Sequence, residues 1–175
     1  MNVYYAKTAL YAYSNLQTIA SQIDDIVEKK ALSSMNDYSL ALTQCERIVE
    51  YTQQKDALFA LKIRIEEVLD KLDFEQIDLI EYKYFKRKPK EYFEGFDFES
   101  RAYFRKQTKL ISVVSELFEK GGTTDEWFES TCLKIDFFKE LLKRTIAHEK
   151  SYAKKGIYKK PATAKVTRDK MRLSA

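Results

Sequence analysis

The scarcity of turn-forming residues is the feature that most restricts how this chain can fold. Its 175 residues include only four Gly and two Pro. A β-sheet protein needs many tight turns, and tight turns depend heavily on these two residue types. The hydrophobic fraction of 45% and the charged fraction of 33% are those of an ordinary globular protein. We therefore expect an all-α fold, a bundle of long helices.

The residues that carry most enzyme chemistry are scarce as well. His148 is the one histidine, and we expect it on the surface of a helix. Cys45 and Cys132 lack the spacing of a zinc site or a disulfide framework, and both are predicted to be core residues. No Gly-rich phosphate loop occurs. The sequence therefore favours a protein that is not an enzyme, with no cofactor and no metal.

The sequence shows neither a membrane span nor a secretory leader. No apolar run reaches the roughly 18–20 residues that a transmembrane helix needs. The first ten residues lack a compact apolar stretch that ends in a cleavage site. We expect a cytoplasmic protein with no membrane partner.

Apolar residues at steps of three and four predict an N-terminal helical module over about residues 1–70. Its first stripe consists of Leu16, Ile19, Ile23 and Ile26, behind a predicted N-cap at Ser14, and its second of Leu58, Leu61, Ile65, Val68 and Leu72. Two arrangements remain open. Both stripes close a bundle against the helix from Trp127 to Ile146, or part of the second stripe pairs with its copy in a homodimer.

A helix-turn-helix is predicted over about residues 72–120. Its parts are a helix from Phe74 to Phe85, a short helix from Pro89 to Phe96, a tight turn at Asp97 and Phe98, and a helix that Ser100 caps and Gly121 and Gly122 end. One C-terminal helix over 124–150, packed on the body, and a disordered basic tail over 151–175 complete the expected organisation.

Two basic segments lie within an acidic background. Residues 151–175 carry eight Lys or Arg against one Asp, a local charge of +7, whereas residues 1–150 carry −3. The segment from Tyr82 to Leu110 has nine bases against four acids, a local +5. A local cluster of cations can face a polyanion whatever the total charge is.

The helix behind Ser100 combines this charge with a periodic arrangement. Arg101, Arg105 and Lys109 recur every four residues, so they share one face of the helix. In a helix-turn-helix the N-terminal side chains of the second helix reach base edges in the major groove. Guanidinium groups pair with guanine or phosphate, and Gln107 can pair with adenine. The pattern predicts binding of double-stranded DNA.

The same residues carry a resemblance to a known family. The run from Asp78 to Phe85 and the run from Ser100 to Arg105 resemble the helix-turn-helix in the last conserved region of bacterial sigma factors and in related phage regulators of late transcription. The likeness covers about residues 72–118 and departs from the family at Phe93 and Asp97. It implies a transcription regulator of bacterial or phage type, and it leaves open whether RNA polymerase is a partner. The residues that it implies near bases are Arg101, Ala102, Arg105 and Lys106, and those near phosphates are Lys86, Lys88 and Lys109.

Other interpretations fit the same sequence. The Lys and Arg stripe is also what a solvated helix face looks like. The nine aromatic residues between Tyr82 and Phe104 are either core or a surface on which single-stranded bases stack, with the basic tail as a second contact. A non-enzymatic helical adaptor that binds another protein, with little or no DNA binding, is the competing class.

Overall fold

A computed structural model describes residues 1–33, 38–86 and 101–154, without the side chains of 38–41 and 152–154. Within these ranges the regular structure is helical throughout, which confirms the all-α fold. The elements are α1 (Val3–Tyr13), α2 (Leu16–Ser33), α3 (Tyr38–Leu69), α4 (Phe74–Ile80), a π-helical turn (Glu81–Phe85), α5 (Arg101–Lys120), α6 (Asp125–Thr131) and α7 (Asp136–Lys154).

Helix α1 lies at the centre of the fold. It contacts α3, α5, α7 and the π-helical turn. Ala6, Ala9, Leu10 and Ala12 are all completely buried. The three alanines are small, which allows neighbouring helices to approach α1 closely from several sides. The terminal ammonium group of Met1 also forms an ion pair with Glu119 near the end of α5, which links the residue before α1 to α5.

Helices α2 and α3 form an antiparallel hairpin. Asp24 on α2 pairs with Lys55 on α3 at 2.6 Å, and the ammonium group of Lys30 lies 5.8 Å from the ring centre of Tyr51. Helix α3 runs for 32 residues and continues through the polar run at residues 53–56. Since α2 begins at Leu16, Ser14 is not its N-cap. Ser14 ends α1, and its hydroxyl donates to the carbonyl of Phe85 at 3.4 Å.

The stripe from Leu58 to Leu72 is buried inside the chain. Leu58, Leu61 and Ile65 are at most 1% exposed, and α3 contacts α1 and α5. The bundle arrangement is therefore confirmed for this stripe, although its main neighbours are not the helix from Trp127 to Ile146. The prediction that part of this stripe pairs with another subunit is wrong, because the intramolecular core already covers it.

Helix α4 and the π-helical turn form the segment predicted as one helix from Phe74 to Phe85. A capping box starts it: Asp73 accepts from the backbone N–H of Gln76 at 2.8 Å, and the side chain of Gln76 accepts from the N–H of Asp73 at 3.2 Å. The segment ends at Lys86, whose φ of 50° is left-handed. The predicted short helix, the turn at Asp97 and the cap at Ser100 lie outside the described residues.

The end of α5 is a Schellman motif, as the two glycines predicted. Gly122 has a φ of +78°. Its N–H donates to the carbonyl of Glu119 at 3.0 Å, and the N–H of Thr123 donates to that of Phe118 at 2.8 Å. Arg64 of α3 holds this junction. Its guanidinium donates to the Thr123 hydroxyl at 3.0 Å and lies 4.2 Å from the ring centre of Trp127.

The predicted single C-terminal helix over 124–150 is wrong. Thr124 caps α6, but the helix stops at Thr131 and α7 starts at Asp136. The break allows Phe128 and Phe138 to be completely buried together, with ring centres 6.0 Å apart in an edge-to-face pair. Helix α7 continues to Lys154, so residues 151–154 of the predicted tail are helical. Residues 155–175 lie outside the described residues.

The cysteines divide between core and surface. Cys132 is buried and burial raises the pKa of its thiol to about 12. Cys45 is exposed, so its predicted place in the core is wrong. It lies on the N-terminal half of α3, on a side that the described part of the chain leaves exposed. His148 is exposed on α7, as predicted.

Truncation of α1 should destabilise the whole fold. Leu10→Ala removes a completely buried side chain from the central helix and should lower the free energy of unfolding by about 2–5 kcal/mol. The control Gln17→Ala changes an exposed residue of α2 and should stay within about 0.5 kcal/mol of wild type. Urea denaturation measures both, and equal effects would contradict the central position of α1.

Candidate nucleic-acid interface

Helix α5 has one buried face and one exposed face. The buried face packs into the core and consists of Tyr103, Gln107, Leu110, Ile111, Val114, Ser115 and Phe118. The five α5 residues that the sequence assigned to DNA are all exposed; they are Arg101, Ala102, Arg105, Lys106 and Lys109. The structure therefore brings these five together on the solvent side of one helix.

Three of these residues form a row of cations along the helix axis. Arg101, Arg105 and Lys109 follow one another at steps of about 6 Å, the rise of four residues. Within the described ranges no ion pair involves any of the three. Their charges therefore remain available to an anionic ligand.

Lys106 differs from the other three cations because it already has a partner. Its ammonium group pairs with Glu75 of α4, and both side chains are 54% exposed. An exposed pair of this kind contributes little to stability and is screened by salt. Lys106 can therefore exchange Glu75 for another anion at small cost.

Gln107 cannot have the role that the sequence suggested. It is 4% exposed, and its side-chain amide donates to the backbone carbonyl of Leu79 at 3.2 Å. The prediction that Gln107 pairs with adenine is therefore wrong for this conformation. Gln107 instead joins α5 to α4, which helps to fix the direction of the cationic row.

The charge of α5 differs between the two halves of its exposed face. Glu116, Glu119 and Lys120 lie exposed in the second half, so the surface of α5 is cationic in its N-terminal half and mixed in charge in its C-terminal half. Arg101 stands in the first turn, which contains no acidic residue. A cation there opposes the positive end of the helix dipole. This placement lowers the stability of the helix while it strengthens the local positive potential.

Lys86 is exposed at the end of the π-helical turn. Its backbone N–H donates to the carbonyl of Glu81 at 2.8 Å, which fixes the left-handed position where the chain leaves the helix. Lys88, the second predicted phosphate contact before α5, lies outside the described residues.

Lys83 belongs to a different surface, a groove between α1, α5, α7 and the π-helical turn. The groove has a volume of about 400 Å³, and its charged lining residues are Lys7, Lys83, Glu149 and Lys150. Lys7 is mostly buried and pairs with Glu149 at 2.8 Å. Burial, followed by repulsion from Lys7, lowers the pKa of Lys83 below its ordinary value of 10.5. Sequence reasoning missed this cluster, and the one available signal was the charged Lys7 inside an apolar run.

The aromatic residues of the described part belong mainly to the core. Tyr84, Phe85 and Tyr103 are buried. The ring centres of Tyr11 and Tyr84 lie 4.7 Å apart, as do those of Tyr13 and Phe85. These rings join α1 to the π-helical turn, so they are not a platform for base stacking. Tyr92, Phe93, Phe96 and Phe98 lie outside the described residues.

Comparison of the chain with family models, curated proteins and solved structures finds no match. In the described ranges no helix is long and apolar enough to cross a bilayer. The same ranges contain no cluster of three or more His, Cys, Asp or Glu that could hold a metal ion.

The groove predicts a specific pH dependence. When the folded-state pKa of a lysine is lowered, its charge opposes folding at neutral pH, and this penalty disappears as the pH rises to 10.5. Lys83→Met should therefore stabilise the protein at pH 7, with a gain that shrinks towards pH 10.5. Chemical denaturation of both proteins at a series of pH values measures this difference in the free energy of unfolding.

The control for this experiment is Lys29→Met, which removes the same charge from an exposed position on α2. Its stability should follow that of the wild type across the pH range. A constant difference between Lys83→Met and wild type from pH 7 to 10.5 would contradict the effect of burial on Lys83.

Proposed function

We propose that this protein binds double-stranded DNA through the N-terminal half of α5, as a transcription regulator of bacterial or phage type. The observation that carries the proposal is the exposed row of Arg101, Arg105 and Lys109, which have no ion pair within the described part of the chain. Arginine forks match guanine edges and phosphate oxygens in a geometry that few other ligands share.

The residues divide into two kinds of contact. Arg101, Ala102 and Arg105 are nearest the N-terminal end of α5, the end that approaches bases when a recognition helix enters the major groove. Ala102 is small and exposed, so it allows a close approach and can contact a thymine methyl group. Lys109 lies further along, and Lys86 stands on a separate segment. Both suit phosphate contacts that position the helix without reading sequence.

The charge distribution supports one orientation on DNA. In the second half of α5, exposed Glu116 repels a phosphate backbone, whereas Glu119 pairs with the terminal ammonium group. The cationic end attracts the phosphate backbone, so the helix would approach DNA by its N-terminal end. The +7 of residues 151–175 adds a second source of phosphate contacts, which weakens steeply as the salt concentration rises.

Substitutions in the cationic row should lower DNA affinity and leave the fold intact. Arg101→Ala and Arg105→Ala should each cost about 1–3 kcal/mol of specific binding. Lys86→Ala should weaken binding to all DNA sequences equally. It should also reduce the slope of log affinity against log salt concentration by about one unit. Fluorescence anisotropy with genomic fragments and with random duplexes, at two salt concentrations, separates these effects.

The matched control is Lys120→Ala. Lys120 is exposed at the other end of α5, about 28 Å along the helix axis from Arg101, and its loss removes the same charge. It should leave DNA affinity nearly unchanged. If the Arg101→Ala/Arg105→Ala double variant binds DNA as the wild type does, the proposal is wrong.

Because of the helix dipole, one substitution should change DNA affinity and protein stability in opposite directions. Arg101→Glu places an acid in the first turn of α5, which should raise the free energy of unfolding by about 0.3–1 kcal/mol. The same change should abolish specific DNA binding, because it puts a carboxylate against phosphates. Loss of binding together with loss of stability would point to damaged structure instead of a lost contact.

A further inference from the structure

The outer face of α3 carries an apolar stripe that the described part of the chain does not cover. Leu42 and Ile63 are 69% and 56% exposed, and Val49 and Phe59 are 56% and 37% exposed. Such residues are ordinary when they are scattered singly over a surface. Here they share one side of one helix and form a continuous stripe.

The spacing is that of a coiled-coil seam. From Leu42 to Ile63 the exposed face follows alternating steps of three and four residues, over about 31 Å of helix. The full series is Leu42, Cys45, Val49, Thr52, Asp56, Phe59 and Ile63, each of them exposed. We call this series the outer seam.

The outer seam lies on the far side of α3 from the core. Leu58, Leu61 and Ile65 project into the core, and at 100° per residue the outer seam residues project roughly opposite to them. The hairpin partner α2 covers a third direction, through Lys55 and Tyr51. A helix can therefore approach the outer seam without displacing any described neighbour of α3.

We propose that the outer seam binds the outer seam of a second copy of this chain, in antiparallel orientation. In the favoured register the two-fold axis passes beside Gln54. Val49 then faces Phe59 of the second copy, and Cys45 faces its Ile63. The two polar positions meet each other, because Thr52 faces Asp56 of the second copy and its hydroxyl can donate to the carboxylate.

The polar residues exclude the other arrangements. A parallel pair would place the two Asp56 carboxylates against each other inside the seam, where like charges repel strongly. An antiparallel pair shifted by one heptad would place Asp56 against Cys45 and Val49 against Thr52, which buries polar groups against apolar ones. The register beside Gln54 matches apolar with apolar and polar with polar at the three central pairs of the seam. At the ends of the seam Leu42 faces Glu66 of the second copy.

The charges beside the seam permit the same register. Lys55 lies close to the axis and would approach its own copy there, but Asp24 of the same chain neutralises it at 2.6 Å. Gln53 lies next to the axis on the other side and can form hydrogen bonds with its copy. The interface is distinct from the stripe of Leu58 to Leu72, and this proposal does not depend on DNA binding.

Sedimentation of the full chain at micromolar concentrations tests the association. We expect a species of twice the 20.6 kDa chain mass, and Val49→Lys should remove it because a charge is buried in the seam. Val49 is exposed in the monomer, so the variant should keep the wild-type helical circular dichroism. The control Phe74→Lys changes a residue that is 90% exposed on α4 and should leave the dimer intact. A wild-type chain that stays monomeric overturns the proposal.

Disulfide cross-linking tests the orientation. Cys45 and residue 63 of one chain lie about 27 Å apart along α3, which is too far for a disulfide within the chain. In the Ile63→Cys variant, mild oxidation should therefore join residue 45 of one copy to residue 63 of the other, as peptide mapping would show. Wild type should not form a disulfide between two Cys45 residues. A disulfide between two Cys45 residues in wild type would indicate parallel pairing and would overturn the proposed register. An Ile63→Cys dimer that forms no cross-link on oxidation would overturn it as well.

Discussion

The burial of α1 is the interaction on which the remaining structure depends. Four parts of the chain meet on its surface, namely α3, α5, α7 and the π-helical turn, and Ala6, Ala9 and Ala12 keep these contacts close. Each neighbour is amphipathic and needs an apolar surface on which to bury one face. Since α1 provides that surface to several helices at once, it sets the position of α5, and therefore the direction in which the cations of α5 point.

The sequence predicts the elements that have one apolar face and gives no separate prediction for α1, which is buried on several sides. Helix α5 was predicted between the cap at Ser100 and the glycines at 121 and 122, because its cations recur every four residues on one face. Helix α1 has no such pattern, and its residues from Ala6 to Leu10 are all buried. A helix surrounded by protein on every side loses the periodic signal. The helix at the centre of the fold was therefore the hardest to find.

Individual residues show a second limit, which is set by tertiary contacts. Arg101 and Arg105 could be assigned to the surface because a long charged side chain is rarely buried without a partner. Gln107 could not be assigned to the core, because its bond to the Leu79 carbonyl depends on where α4 crosses α5. Lys7 and Glu149 meet from opposite ends of the chain, and no local pattern encodes that pair. Likewise, the break between α6 and α7 follows from the joint burial of Phe128 and Phe138.

Helix α3 also acts as a mechanical link. It is continuous over 32 residues, so its two ends cannot turn independently. Near the C-terminal end of α3, Arg64 donates a hydrogen bond to Thr123 and lies over the ring of Trp127, next to the end of α5. The N-terminal half of α3 forms the hairpin with α2. A bending force applied to that hairpin would be transmitted along α3 to the end of α5. Arg64 is thus a contact that fixes α3 relative to the C-terminal end of α5.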